Sequence, residues 1–219
     1  HCAGIIGAGT DNGTGVAGVC PGSRLMILRA GNCNGFFTSS AVARAIYYAT
    51  DNGARVISMS FGGTSTNQTM AEAVAYARSR GLLLFAAAGN TGDATLHYPA
   101  GYEGVIGVGA TDNQDRVASF STHNASVDLS APGVSVLSTM PTYACYLNLR
   151  GYPSGYSYMS GTSMACPAAA GVGALLVAHR PDLSPEDWES ALFLGAEDLG
   201  APGRDDYYGH GRVNASRSL

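Results

Sequence analysis

Charge is scarce in this 219-residue chain. Charged residues make up 13% and the formal net charge is −4, so no basic surface is available to attract nucleic acid. No apolar run reaches the ~20 residues that a membrane-spanning helix needs. Cysteine is sparse and poorly spaced: Cys2, Cys20, Cys33, Cys145 and Cys166 are odd in number and match no zinc signature. Cys20 and Cys33 flank a predicted strand, so ~20 Å of extended chain separates them and makes them poor disulfide partners. Cys2 and Cys166 lie in small-residue helical contexts and read as buried apolar groups. No repeat, low-complexity tract or charge block divides the chain, which predicts one domain over residues 1–219.

What the chain has is alternation of strand-like and helix-like segments, the pattern of an α/β fold with a parallel sheet. Leu25–Ala30 reads as a strand. A helix capped by Ser39 or Ser40 is predicted to run to Asn52, with Gly53 as its stop. Val56–Ser60 is the next strand. Met70, Ala73, Val74 and Ala77 put one apolar face on a helix over 67–80, ended by Gly81. Leu82–Ala88 is a strand apolar throughout, as expected when both faces are covered. A strand over 105–110 follows. Residues 134–140 and 152–159 read as antiparallel β segments. Ser184 and Pro185 open a further helix that carries Trp188 and runs to about residue 194.

Around Gly161-Thr162-Ser163-Met164-Ala165-Cys166-Pro167 the residues are small and the chain enters an apolar run, Ala168–Ala178. That run is predicted to be a buried helix with Pro167 in its first turn, where a missing N–H costs little. Ser163 then lies at a helix N-terminus, where unpaired amides and the helix dipole favour negative charge. Two readings stand at this point. Ser163 is an ordinary cap, or it is a nucleophile whose oxyanion product meets backbone donors.

Gly-Thr-Ser-Met-Ala-Cys-Pro over 161–167, together with His1-Cys2-Ala3-Gly4 and Ala86-Ala87-Ala88-Gly89-Asn90, resembles the subtilisin-like serine proteases (subtilases), thermitase-like in pattern. Position 165 is Ala, so the G-x-S-x-G elbow of the α/β-hydrolases is absent. The family's motif also has His where Ala168 stands. The resemblance implies a three-layer fold with a mostly parallel central sheet flanked by helices. It implies Ser163 as nucleophile and Asn90 as the oxyanion-hole side chain. Ser60, Phe61 and Gly62 on one side, and Ala87, Ala88 and Gly89 on the other, are implied to line the cleft and bind an extended peptide by its backbone. Small Ala87, Ala88 and Ala100 suggest a roomy pocket for large apolar P1 side chains. His97, near the expected pocket base, either narrows that pocket or is an exposed loop residue, and the exposed loop residue is the favoured reading. His123, His179 and His210 match no catalytic position.

By the same resemblance His1 corresponds to the second histidine of the family's H-G-T-H-x-A-G motif. The catalytic histidine is expected three residues before His1, and the catalytic Asp on a still earlier strand of the sheet. The chain is therefore expected to be N-terminally truncated relative to the family, with a gap beside its surviving strands. An upstream segment of the same protein is the implied partner. Calcium is the implied cofactor. Residues 9–16 resemble the family's high-affinity loop, with Gly9, Asn12, Thr14 and Val16 as ligands, and Glu103, Val105 and Asp128 resemble a weaker cation site; oxygen ligands suit Ca²⁺. Protein or peptide substrates and an extracellular setting are further implications. The alternative is a catalytically inactive relative that only binds peptides or a partner chain.

Overall fold

The computed structural model describes residues 1–32 and 34–219. Cys33, and with it the expected separation from Cys20, lies outside the described residues. In chain order the elements are α1 (Cys2–Gly7), α2 (Ser39–Asp51), β1 (Val56–Met59), α3 (Gln68–Ser79), β2 (Leu83–Ala87), β3 (Ile106–Thr111), β4 (Leu129–Pro132), β5 (Val136–Thr139), α4 (Tyr146–Leu149), β6 (Tyr156–Met159), α5 (Thr162–His179), α6 (Pro185–Gly195) and α7 (Ala215–Ser218).

The first four strands form one all-parallel sheet in the order β1-β2-β3-β4. β2 shows why the layers are three. Leu83, Phe85 and Ala87 face one way, into a core shared with Ala165, Ala169, Val172 and Leu176 of α5. Leu84 and Ala86 face the other way, against Val42 and Ile46 of α2 and Met70, Ala73, Val74 and Ala77 of α3. A strand flanked on both faces has no use for polar residues, and β2 has none. Gly173 lets α5 lie close: a Cβ there would stand 2.7 Å from the Phe85 ring. The apolar length of α5 is enough to cross a membrane, but 67% of it is buried inside this core.

Local signals explain most element ends. Asn67 caps α3 by accepting the Met70 N–H at 3.2 Å. Ser184 and Asp187 cap α6 reciprocally, and Trp188 Nε1 donates to Arg180 O at 2.8 Å. The α2 cap is Thr38, whose hydroxyl accepts the Ala41 N–H at 3.3 Å; the helix starts one residue before the place expected from Ser39 or Ser40.

Three expectations are corrected. Leu25–Ala30 is not a strand: no sheet neighbour pairs with it among the described residues, and a strand without a partner has no ladder to define it. Leu25, Met26 and Ile27 are exposed there. The helix around Ser163 begins at Thr162, so Pro167 sits in its interior and not in its first turn. The antiparallel pair survives in shortened form, with Val136 opposite Met159 and Thr139 opposite Tyr156. α4 occupies the connection between the two strands.

Candidate active site

Ser163 is the second residue of α5. An interior proline has no N–H to give to the carbonyl four residues earlier, and for Pro167 that carbonyl belongs to Ser163. The freed oxygen accepts two side chains instead, Ser60 Oγ at 2.8 Å and Cys2 Sγ at 3.2 Å. In return Ser163 Oγ donates to Ser60 O at 3.2 Å. Two reciprocal hydrogen bonds thus join the end of β1 to the start of α5. No imidazole is hydrogen-bonded to Ser163 among the described residues.

Gly161 precedes the helix with φ 153°, a conformation only glycine holds without strain. It presents the first helical amides toward Asn90. Asn90 Oδ1 accepts from Thr162 N at 2.9 Å and from Thr162 Oγ1 at 3.0 Å. Thr162 Oγ1 also takes the Gly89 N–H at 3.3 Å. With its oxygen committed, Asn90 has its Nδ2 donors free, and the residue is exposed. The Ser163 N–H, one of the unpaired amides of a helix start, has no partner among the described residues. Among the described residues the site therefore offers two unpartnered donor groups, the Asn90 amide nitrogen and the Ser163 backbone N–H, beside one hydroxyl.

The two expected walls of the cleft end β1 and β2. Ser60 and Phe61 are half-buried and Gly62 is exposed. The Phe61 ring stacks on Phe37, with centroids 4.8 Å apart. The side chains of Ala87, Ala88 and Ala100 are only 5%, 0% and 3% exposed, so they belong to the core and leave no roomy hollow. His97 is half-buried rather than an exposed loop residue, with Nε2 3.4 Å from Thr91 Oγ1. Cys166 is buried as expected, and burial pushes its thiol up to about 11. Cys2 is only half-buried and makes the contact with Ser163 O.

Residues 9–17 form an exposed loop around a hollow of about 260 Å³. Its donors are oxygens, the type Ca²⁺ takes, but Asn12 Oδ1 accepts the Thr14 N–H at 3.1 Å. Six to eight oxygens are needed for calcium, so this loop fits the ion in kind and supplies part of a shell. At the second expected site, Asp128 is pushed up to about 6 by burial, against the pull of the Gly107 N–H and Arg204. Its carboxylate accepts that N–H at 2.8 Å. Arg78, paired with Glu189, lies against Gly104, the residue between Glu103 and Val105 in the chain. Among the described residues no cluster of three or more His, Cys, Asp or Glu is placed to hold a metal.

The family model described as the subtilase family matches residues 1–211. Thermitase of Thermoactinomyces vulgaris is 41% identical over the whole chain, which spans 73% of that protein. The chain belongs to the subtilase family. A thermophilic serine proteinase of Bacillus sp. (strain AK1) is 42% identical, and the chain spans about half of it, 51%. Among solved structures, the psychrophilic subtilisin-like protease Apa1 from Pseudoalteromonas sp. AS-11 superposes with a TM-score of 0.89 at 24% identity, over 100% of this chain and 82% of that one. Fervidolysin from Fervidobacterium pennivorans, titled a keratinolytic enzyme related to subtilisin, gives 0.87 at 36% identity, over 100% of this chain and 35% of its own.

In this subtilase chain, one residue at the site escaped sequence reasoning. Thr162 holds both Asn90 and Gly89, yet a threonine beside a serine carries no signal of that role. The use of Ser163 O was foreseeable: Pro167 lies four positions on and leaves that carbonyl unpaired.

Proposed function

We propose that this chain is the greater part of a subtilase catalytic domain that hydrolyses peptide bonds. Ser163 attacks the scissile carbonyl, and Asn90 Nδ2 with the Ser163 amide receives the oxyanion. Residues 60–62 and 87–89 hold the peptide backbone as an added strand. The observation that carries the reading is the anchoring of Asn90 by its oxygen. A side-chain amide tied down at Oδ1 turns its donors outward in a fixed geometry, which is what stabilisation of a developing charge requires. The general base and its carboxylate are assigned to a segment upstream of His1, whose strand fits the free edge of β1 beside the unpaired residues 25–30. Calcium is assigned to the 9–17 loop through Gly9, Asn12, Thr14 and Val16, with further oxygens from that same segment; bound there, it cross-links the loop. Glu103, Val105 and Asp128 are the weaker assignment, because Arg78 already brings a positive charge to that corner. Secretion follows the family.

The second reading, a chain that binds peptides without cutting them, is favoured by one contact: Ser163 Oγ gives its proton to Ser60 O and not to a base. In subtilisin, loss of the histidine alone costs about 10⁶ in turnover. Treatment with a fluorophosphonate, followed by intact mass, separates the readings. An activated serine forms an Oγ–P bond and releases fluoride. One adduct that disappears in Ser163→Ala supports the peptidase. No adduct on folded protein leaves the binding reading for the chain as it stands.

A further inference from the structure

Charge disappears from one part of the chain while tyrosine collects there. Between Asp128 and Arg180 the only charged residue is Arg150, and five of the 12 tyrosines fall within 143–158. This stretch folds into β5, α4 and β6. Ser138 and Ser157 pair across the two strands and are buried, with Ser138 Oγ donating to His1 O at 2.9 Å. Side chains alternate along a strand, so the neighbouring pair, Leu137 and Tyr158, faces outward together with Tyr156. Tyr156 leans on Gly15 of the 9–17 loop. Tyr158 stays 63% exposed and Leu137 40%. Met140 N donates to Gly155 O at 2.6 Å and Gly155 N to Pro141 O at 3.2 Å, which closes the end of the ribbon. The connection beyond that end carries α4 and leaves Tyr143 71% and Leu149 83% exposed.

Tyrosine at an exposed, uncharged surface is the composition of a protein interface. The charge pattern selects the partner. An ordinary protein surface brings carboxylates and ammonium groups, and any of these pressed on this face loses its water and finds Arg150 alone to meet. The fitting surface is itself uncharged and aromatic, and the same face of a second copy is such a surface. Self-pairing brings only two positive charges into the contact, and tyrosine rings hold them. Arg150 already does this within the chain, with its guanidinium 6.0 Å from the Tyr146 ring centroid and Nη1 donating to the hydroxyl at 3.2 Å. We infer that the chain forms a two-fold dimer through the outer face of β5, α4 and β6, with Leu137 and Tyr158 in the contact. The area suffices. Four of the tyrosines average a little over half exposed, which at about 150–250 Å² per side chain gives about 300–550 Å² on each copy. Two copies, with the two leucines and the Ser, Thr and Gly around them, reach the lower end of a specific interface, about 1,200 Å² in all.

The test is sedimentation velocity of the purified chain from about 1 to 200 μM, the range in which an interface of this size dissociates. The wild-type chain is expected to pass from monomer to dimer as concentration rises. Tyr158→Asp and Leu137→Asp each put two charges into a two-fold contact and are expected to raise the dimer dissociation constant by at least about tenfold. Tyr158→Phe keeps the ring and is expected to stay within about threefold of wild type. Ile27→Asp, on the other exposed apolar stretch, is expected to change nothing. Circular dichroism and the urea midpoint of each variant establish that it is folded. A wild-type chain that remains monomeric at the highest concentration overturns the inference and leaves the face to a different occupant. A dimer untouched by both aspartates overturns it too, and if Ile27→Asp breaks that dimer, the copies meet at the edge of β1 instead.

Discussion

Two parts of the sheet differ in how complete they are. β2 and β3 each have a strand neighbour on both edges, β2 has helices on both faces, β3 packs on α5, and Leu83, Leu84, Phe85 and Val108 are fully buried. At β1 the outer edge has no strand partner among the described residues, Val56, Ile57 and Ser58 are only half-buried, and the apolar stretch 25–27 is exposed, Ile27 by 73%. The incomplete side is not short of apolar residues, with Val56, Ile57 and Met59 in β1 and Leu25, Met26 and Ile27 in the exposed stretch. Burial depends on neighbours, and hydrophobicity alone does not supply them. Ser163 and Asn90 are positioned from the complete side, by α5 and the end of β2. The incomplete side is the one to which the proposed upstream segment is assigned.

The largest expected effect tests this contrast directly. Phe85→Ala removes a ring packed against α5 and is expected to cost about 3–5 kcal/mol in urea unfolding. Ile27→Ala, on the exposed stretch, should stay within about 0.5 kcal/mol. Similar losses from the two would break the comparison. Next in size, Asn90→Ala is expected to slow phosphonylation of Ser163 by a fluorophosphonate about 10²–10³-fold, read on a preparation that labels. A matching fall in melting temperature would instead make Asn90 a structural tie between β2 and α5.

The smallest effect sharpens the comparison from beside β3, where Asp128 is a half-buried carboxyl hydrogen-bonded by Gly107 N–H. Its folded pKa of about 6 lies above the ordinary 3.8, so the folded chain holds that proton more tightly than the unfolded one. The stability this contributes is full below about pH 4 and is lost as pH rises through 6. Asp128→Asn keeps an acceptor for Gly107 N–H and should flatten that slope, by at most about 2 kcal/mol between pH 4 and 7. A slope unchanged in the variant would assign it to another group.

Much of the complete side was legible in the residues. The spacing of Met70, Ala73, Val74 and Ala77 marks the buried face of α3 because a helix repeats every 3.6 residues. The unbroken apolar run 82–88 marks a strand covered on both faces. Ser184-Pro185 marks a helix start by capping chemistry. The strand expected at Leu25–Ala30 fails for a reason no local pattern contains, since a strand exists only in a ladder with another. The start of α5 was misjudged because Pro167 suggested a first turn, whereas an interior proline is tolerated here: the carbonyl it strands is satisfied by Ser60 and Cys2.

By itself the sequence determined the α/β order of the elements, the faces they bury and the identity of the groups at the site, because periodicity, capping and side-chain chemistry are local properties. Only the tertiary structure decided which groups meet. It put Thr162 on Asn90, exchanged hydrogen bonds between Ser60 and Ser163 across 103 positions, and set the His97 ring against Gly89. It left the edge of β1 without a strand partner among the described residues. Those outcomes depend on how layers pack and on which strand lies next to which, and contacts between residues so far apart in the chain leave no period to read.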